Sequence, residues 1–166
     1  MGIFQAIDAS ASGLTAQRLR LDLIANNIAN VNTTRTGQLT PAGNQIPYRR
    51  EVAIFEPRPV QPDFARTLDQ AFARSSSLDR AAGTGVEVAA IAGDQTPFKL
   101  AYNPDSPDAA KTPEPGIPAG YVREPNVNVV TEMVDMVSAS RAYEANVTVL
   151  NASKGMETKA LELGKV

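Results

Sequence analysis

The chain has 166 residues, 43% apolar and 5% aromatic with no Trp, and a formal net charge of -2. That is the size of one ordinary domain, with a core limited to small aliphatics. The near-neutral, mixed charge gives no electrostatic basis for binding nucleic acid, and no apolar run reaches the ~18 residues of a membrane span, so no membrane insertion is expected. With no Cys and no His, thiol nucleophiles, imidazole bases, disulfides and His or Cys zinc sites are excluded. No cleavable secretory signal is expected, because no basic stretch precedes an apolar one.

In chain order, residues 3–30 read as one helix, about 40 Å long at ~1.5 Å per residue. Ile7, Leu14, Leu21 and Ile28 recur every seven residues, and Ile3, Ile24 and Val31 supply the alternate position, interrupted by Ser10 and Gln17. Such a repeat favours left-handed supercoiling against a partner. Gly13 weakens the helix by roughly 1 kcal/mol relative to Ala. The helix runs into Asn26, Asn27, Asn30 and Asn32, followed by Thr33, Thr34 and Gly37. Asn tolerates the left-handed conformation that ends helices. Four Asn exceed what one cap needs, and the surplus amides are candidates for binding the backbone of a neighbouring chain.

The middle is a small β-rich piece. A strand is expected in YRREVAIFEP, closed by Pro57, Pro59 and Pro62, with a second over residues 86–94 and a third over 98–102. A short helix is expected at 63–75, with Asp63 as cap and Phe64, Leu68 and Phe72 at steps of four. Residues 103–120, with Pro104, Pro107, Pro113, Pro115 and Pro118, read as turn, extended loop or disorder.

The chain closes with a second long helix over roughly 129–162, capped by Asn128. Met133, Met136, Val137, Tyr143, Val147 and Leu150 follow steps of three and four and form an apolar stripe. Ala139, Ser140 and neighbouring small residues give a flank that another helix can approach closely. The fold class expected is mainly α with a small β-rich middle. The terminal helices pair as an antiparallel coiled coil, joined by short strands and Pro-rich loops. The division expected is 1–36 with 121–166 as the helical core and 37–120 as an outer segment. Two helices of 40 to 50 Å, by ~1.5 Å per residue, expose more apolar surface than this middle can cover, which favours assembly over a monomeric bundle.

The chemical motifs are weak. Glu132 with Asp135 reads as a solvated pair on a helix face, and Asp105 with Asp108 as carboxylates able to offer oxygens to Ca²⁺. The latter loop lacks EF-hand spacing, and neither GxGxxG nor a P-loop occurs. No catalytic residue, metal or cofactor is expected.

The segment ANNIANVNTT after the first helix carries an NN-x-AN-x-x-T element. With PNVNVVTEMVDMVSASRAYEANVTVLNASKGM, with Tyr48-Arg49 leading into a strand, and with Gly120-Tyr121-Val122 before Pro125-Asn126-Val127, the chain resembles the bacterial flagellar basal-body rod protein family, in particular its proximal-rod members. The resemblance covers roughly 3–56 and 84–166, and residues 57–83 look like an insertion relative to shorter members. It implies a non-enzymatic structural subunit, exported through the flagellar type III machinery and polymerising through its terminal helices. The product is the rod, the drive shaft that crosses the periplasm and transmits torque. The partners implied are other rod subunits, copies of the chain itself and, in transit, the export machinery. The assembly interface expected comprises Ile3, Ile7, Leu14, Leu21, Ile24, Asn26, Asn27, Ile28 and Asn30 from the first helix. From the second it comprises Met133, Met136, Val137, Ala139, Ser140, Tyr143, Val147 and Leu150. The competing readings are another flagellar or type III secretion axial subunit, and a helical-hairpin adaptor or chaperone.

Overall fold

A computed structural model of the chain describes residues 3–58 and 85–164. The helix expected at 63–75 and the side chain of Ile3 lie outside the described residues. Helix α1 spans Ile3–Ala29 and helix α2 spans Val129–Leu163. Between them lie β1 (Glu51–Pro57), β2 (Val86–Gly93), β3 (Lys99–Tyr102) and β4 (Tyr121–Glu124). β1 pairs with β2, and β3 with β4, in two separate two-stranded sheets. No helix among the described residues is long and apolar enough to cross a membrane.

Local chemistry accounts for the helix ends. The Asn128 side chain accepts from the Val130 amide at 3.0 Å and satisfies one of the amides that a helix start leaves free. At the other junction α1 unwinds through the Asn cluster. Asn30 Nδ2 donates to Asn26 O at 3.0 Å and Thr33 Oγ1 to Asn30 Oδ1 at 3.1 Å, so side chains take over as the helical ladder stops.

By its contacts the chain divides into two compact units. Among the described residues, the first draws on 3–17, 55–58, 85–89 and 142–164. Here Ser12 Oγ donates to Ala9 O at 2.7 Å and accepts from Val86 N at 3.0 Å, which ties the start of β2 to α1. Gly85 precedes that contact at φ +88, and a Cβ there would lie 2.3 Å from Ser12 Oγ. Both facts demand glycine. A Cβ on Gly13 would stand 2.9 Å from Asn146 Nδ2. The residue that weakens α1 is therefore where α2 comes close to it.

The second unit comprises Arg18–Ile54 and Ala90–Arg141. β3 and β4 pair antiparallel, Lys99 opposite Glu124 and Tyr102 opposite Tyr121, and the two tyrosine rings lie 5.1 Å apart. The β4 strand is an addition to the sequence reading, which took Gly120-Tyr121-Val122 only as the approach to the last helix. Four residues, two of them charged, carry no alternation long enough to read. The proline-rich segment between β3 and β4 is turn held at several points. Ala110 N donates to Tyr121 O at 2.9 Å and Gly120 N to Ala110 O at 3.0 Å. Asn44 Nδ2 donates to Thr112 O at 2.9 Å and Glu114 Oε1 at 2.8 Å. Asp108 accepts from Thr34 Oγ1 at 2.8 Å and Arg35 Nε at 2.9 Å.

The Arg35 and Thr34 bonds hold the Asp108 carboxyl below its usual range; the Thr40 and Asn44 bonds, with Arg123, do the same for Glu114. A depressed carboxylate contributes stability that is present above its unfolded pKa and lost as pH falls through the folded one. Acid should therefore release this segment first. The Ala110 and Gly120 amides should lose hydrogen-exchange protection below about pH 4, near the ordinary carboxylate range. An Arg35→Ala variant should lack much of that pH dependence.

Candidate assembly site

Two features of the described residues are candidates for function: a polar cluster buried in the second unit, and the outward faces of the two helices.

The cluster grows from the NNIAN element. Asn27 sits near the end of α1 and is 1% exposed. Its Nδ2 donates to Glu51 O at 2.9 Å and Glu132 Oε2 at 3.2 Å, while its Oδ1 accepts from Glu51 N and Tyr48 Oη, each at 2.9 Å. All four hydrogen-bonding positions of the amide are filled. The Glu51 pair of bonds makes the side chain behave as a short piece of β-ladder at the head of β1. Asn27 thus binds backbone of its own chain. Asn26 and Asn30 bond to each other through their side chains at 2.9 Å, and Asn26 Nδ2 donates to Tyr48 Oη at 3.2 Å.

Glu132 lies on the first turn of α2 with no solvent exposure. A carboxylate there is tolerated only if paired and hydrogen-bonded. Arg50 Nε donates to its Oε1 at 2.5 Å, and Asn27 occupies the other oxygen. The same guanidinium reaches Asp94 at 3.4 Å and Asp135 at 3.3 Å, and Asp135 also accepts from Arg20 at 2.9 Å. Arg50 N donates to Asn126 Oδ1 at 2.8 Å. Asn126 Nδ2 in turn reaches Asp94 O at 3.2 Å and Thr96 Oγ1 at 2.8 Å. One cation therefore joins β1, the turn after β2 and α2.

The titration of these groups follows from their neighbours. Burial works against the Arg50 charge, but the bonds and charges of Glu132 and Asp94 outweigh it and raise its pKa above the usual value. The Thr96 amide, with its hydroxyl and Arg50, holds Asp94 below its usual range despite some burial. Burial pushes the Tyr48 phenol up to about 12, with Glu51 and Glu132 adding to the shift. A cavity of about 50 Å³ lies in the cluster, lined by Arg20, Asn27, Arg50, Glu132 and Asp135 together with Leu23 and Ile24. Among the described residues no group of carboxylates is arranged to hold a metal ion.

The helix faces show what else is buried. On α1 the covered residues are Ser10, Ser12, Ala16, Leu23, Ile24 and Asn27; on α2 they are Glu132, Ala139 and Ser153. These positions are mostly small or polar. Of the seam residues read from the sequence, Ile24 is buried and the others with described side chains sit further out. Ile7, Leu14, Leu21 and Ile28 are half-buried, as are Met136, Ser140, Val147 and Leu150. Met133, Val137 and Tyr143 are exposed, along with Val130 and Val134, which the stripe did not include. The structure therefore brings Asn27 and Ile24 together with Glu132 in one cluster, and leaves Met133, Val137 and Tyr143 facing solvent. The sequence reading took Glu132 and Asp135 for surface carboxylates. The structure corrects this, because Glu132 is wholly enclosed. The available signal was an acidic residue in the first turn of α2, and that is equally the mark of a surface position near a helix N-terminus.

Comparison with known proteins gives the class. The C-terminal model of flagellar basal body rod proteins of the FlgEFG type matches residues 119–163, and the flagella basal body rod protein model matches residues 7–35. The chain is 50% identical to the flagellar basal-body rod protein FlgC of Borreliella burgdorferi, over 98% of both chains. It is 43% identical to that of Bacillus subtilis, over 99% of this chain and 100% of the relative. With Aquifex aeolicus FlgC the identity is 33%, over 99% of both. The chain belongs to the FlgC family of flagellar basal-body rod proteins.

Removing one side of the Arg50–Glu132 pair strands the other in a closed site. A Glu132→Ala variant should lose about 3 kcal/mol of stability, read as a lower urea midpoint by circular dichroism. Tyr48 should be felt at the opposite end of the pH scale. Its folded pKa of about 12 lies above the usual 10.0, so the stability it confers is full below pH 10 and lost as pH rises toward 12. Tyr48→Phe should remove that alkaline loss from a thermal-melting series.

Proposed function

We propose that the chain is a structural subunit of the proximal rod of the bacterial flagellar basal body, polymerising through its terminal helices into the shaft that carries torque across the periplasm. The observation that carries this reading is the outward placement of apolar side chains on the long helix α2. Val130 is 71% exposed, Val134 65%, Met133 55% and Val137 53%. These four residues, at helical spacing, form an uncovered apolar face of the kind that marks a protein contact. High identity to rod proteins over the full length of each supports the same reading.

On this reading the helical segments within 1–36 and 121–166 form a coiled coil and the axial assembly part, and 37–120 faces outward. The contact residues are those of the apolar seams, Ile3, Ile7, Leu14, Leu21, Ile24 and Ile28 with Met133, Met136, Val137, Tyr143, Val147 and Leu150. Ser140 and the Asn26 and Asn30 amides join them, whereas Ala139 and Asn27 are covered within the chain. The partners are other rod subunits and copies of the chain, reached after passage through the flagellar type III export machinery without removal of a signal segment.

Deleting the gene should stop rod assembly, leaving basal bodies without a distal rod in electron micrographs, and the wild-type gene should restore both rod and swimming. Leu21→Asp sets a charge into the half-buried seam and should abolish swimming while the protein is still made. Normal swimming would remove Leu21 from the interface.

A further inference from the structure

The outward faces of the two helices carry a charge pattern that the rod reading does not use. On α1 the exposed residues Arg18, Asp22, Ala25 and Ala29 follow steps of four, three and four. On α2 the exposed residues Val130, Val134, Val137, Arg141 and Glu144 do the same. Each set is one stripe on its helix. Arg20, Arg50, Asp94 and Asp135 are consumed in ion pairs of the second unit. Among the described residues, the side chains of Arg18, Asp22, Arg141 and Glu144 make no ion pair and no hydrogen bond.

We propose that the α2 stripe of one copy packs antiparallel on the α1 stripe of a second copy, Arg141 against Asp22 and Glu144 against Arg18 of that copy. The inference rests on the rod reading and specifies one of its contacts. The order of charges selects the arrangement. Along α2 a cation is followed one turn later by an anion; read backwards, α1 presents an anion and then, one turn on, a cation. An antiparallel pair satisfies both contacts. A parallel pair that keeps Arg141 on Asp22 sets Glu144 beside Ala25 and leaves Arg18 against Val137. The antiparallel register also places Val137 and Val134 over Ala25 and Ala29. Large side chains then fall on small ones, and the helices can approach closely. The occupant is a second copy because, within one chain, α1 and α2 already turn their Asn27 and Glu132 faces toward each other. Each chain offers one stripe of each kind, so the contact is head-to-tail and repeats from subunit to subunit.

The chain contains no cysteine, so introduced thiols report this contact alone. Asp22→Cys and Arg141→Cys are placed in one chain, which is expressed in cells lacking their own gene for it. Basal bodies are isolated, mildly oxidised and run without reductant. Dimers and higher multiples of the chain are expected, with monomers only from either single variant. The proposal is overturned by monomers alone, by a bond closed within one chain, or by an adduct whose mass shows a different protein. Presence of the unsubstituted chain in the basal bodies is measured separately, so its absence from them rejects the rod reading, whereas presence of the double variant without multimers rejects the contact. In parallel, Arg141→Glu should abolish swimming and Asp22→Arg added to it should restore swimming. Failure of the pair to restore swimming, when both variants reach the basal body, counts against the contact.

Discussion

A carboxylate without solvent exposure is the constraint on which the second unit depends. Glu132 is accommodated in that position because Arg50 and Asn27 occupy its two oxygens. Arg50 lies at the head of β1, Asn27 near the end of α1 and Glu132 at the start of α2. The pairing therefore requires three segments far apart in sequence to arrive together and in one register. Hydrophobic burial is non-directional and tolerates a slip of one helical turn. A bidentate amide and a forked guanidinium do not.

This division of labour explains why α2 looks inverted. In an ordinary helical hairpin the apolar stripe faces the partner and polar residues face water. Here Glu132, Ala139 and Ser153 of α2 are covered while its Val130, Met133, Val134 and Val137 face out; on α1, Ser10, Ser12 and Asn27 are covered beside Ala16, Leu23 and Ile24. Small residues allow the backbones to approach closely, as at Gly13 and Asn146, and hydrogen bonds set the alignment. The apolar residues are then free for contacts beyond the chain. A subunit of an axial assembly needs this arrangement, since its largest hydrophobic surfaces must remain available until neighbours arrive.

Much of the architecture was legible from residue order. The seven-residue repeat of Ile7, Leu14, Leu21 and Ile28 marked α1 to within a residue of its end, and Asn128 marked the start of α2. Tyr48 to Pro57, residues 86–94 and residues 98–102 all contained strands. These elements are readable because they depend on periodicity and on local capping, both of which act within a few residues. β4 was missed because its pairing with β3 is set across the proline-rich turns and not by its own four residues. Glu132 was misplaced for a related reason. A carboxylate one turn into a helix has the same local pattern whether it faces water or a guanidinium arriving from residue 50.

The sequence by itself determined two long helices around a short β-rich middle, the absence of thiol and imidazole chemistry, and a family signature at both ends. Only the tertiary structure decided which face of each helix is covered and where the Asn side chains point. The reason is that helical periodicity reports that a helix has faces, whereas which face turns inward is fixed by partners brought from elsewhere. In this protein those partners are polar. Hydrogen-bond geometry between Asn27, Arg50 and Glu132 overrode the hydrophobic stripe that residue order had made conspicuous.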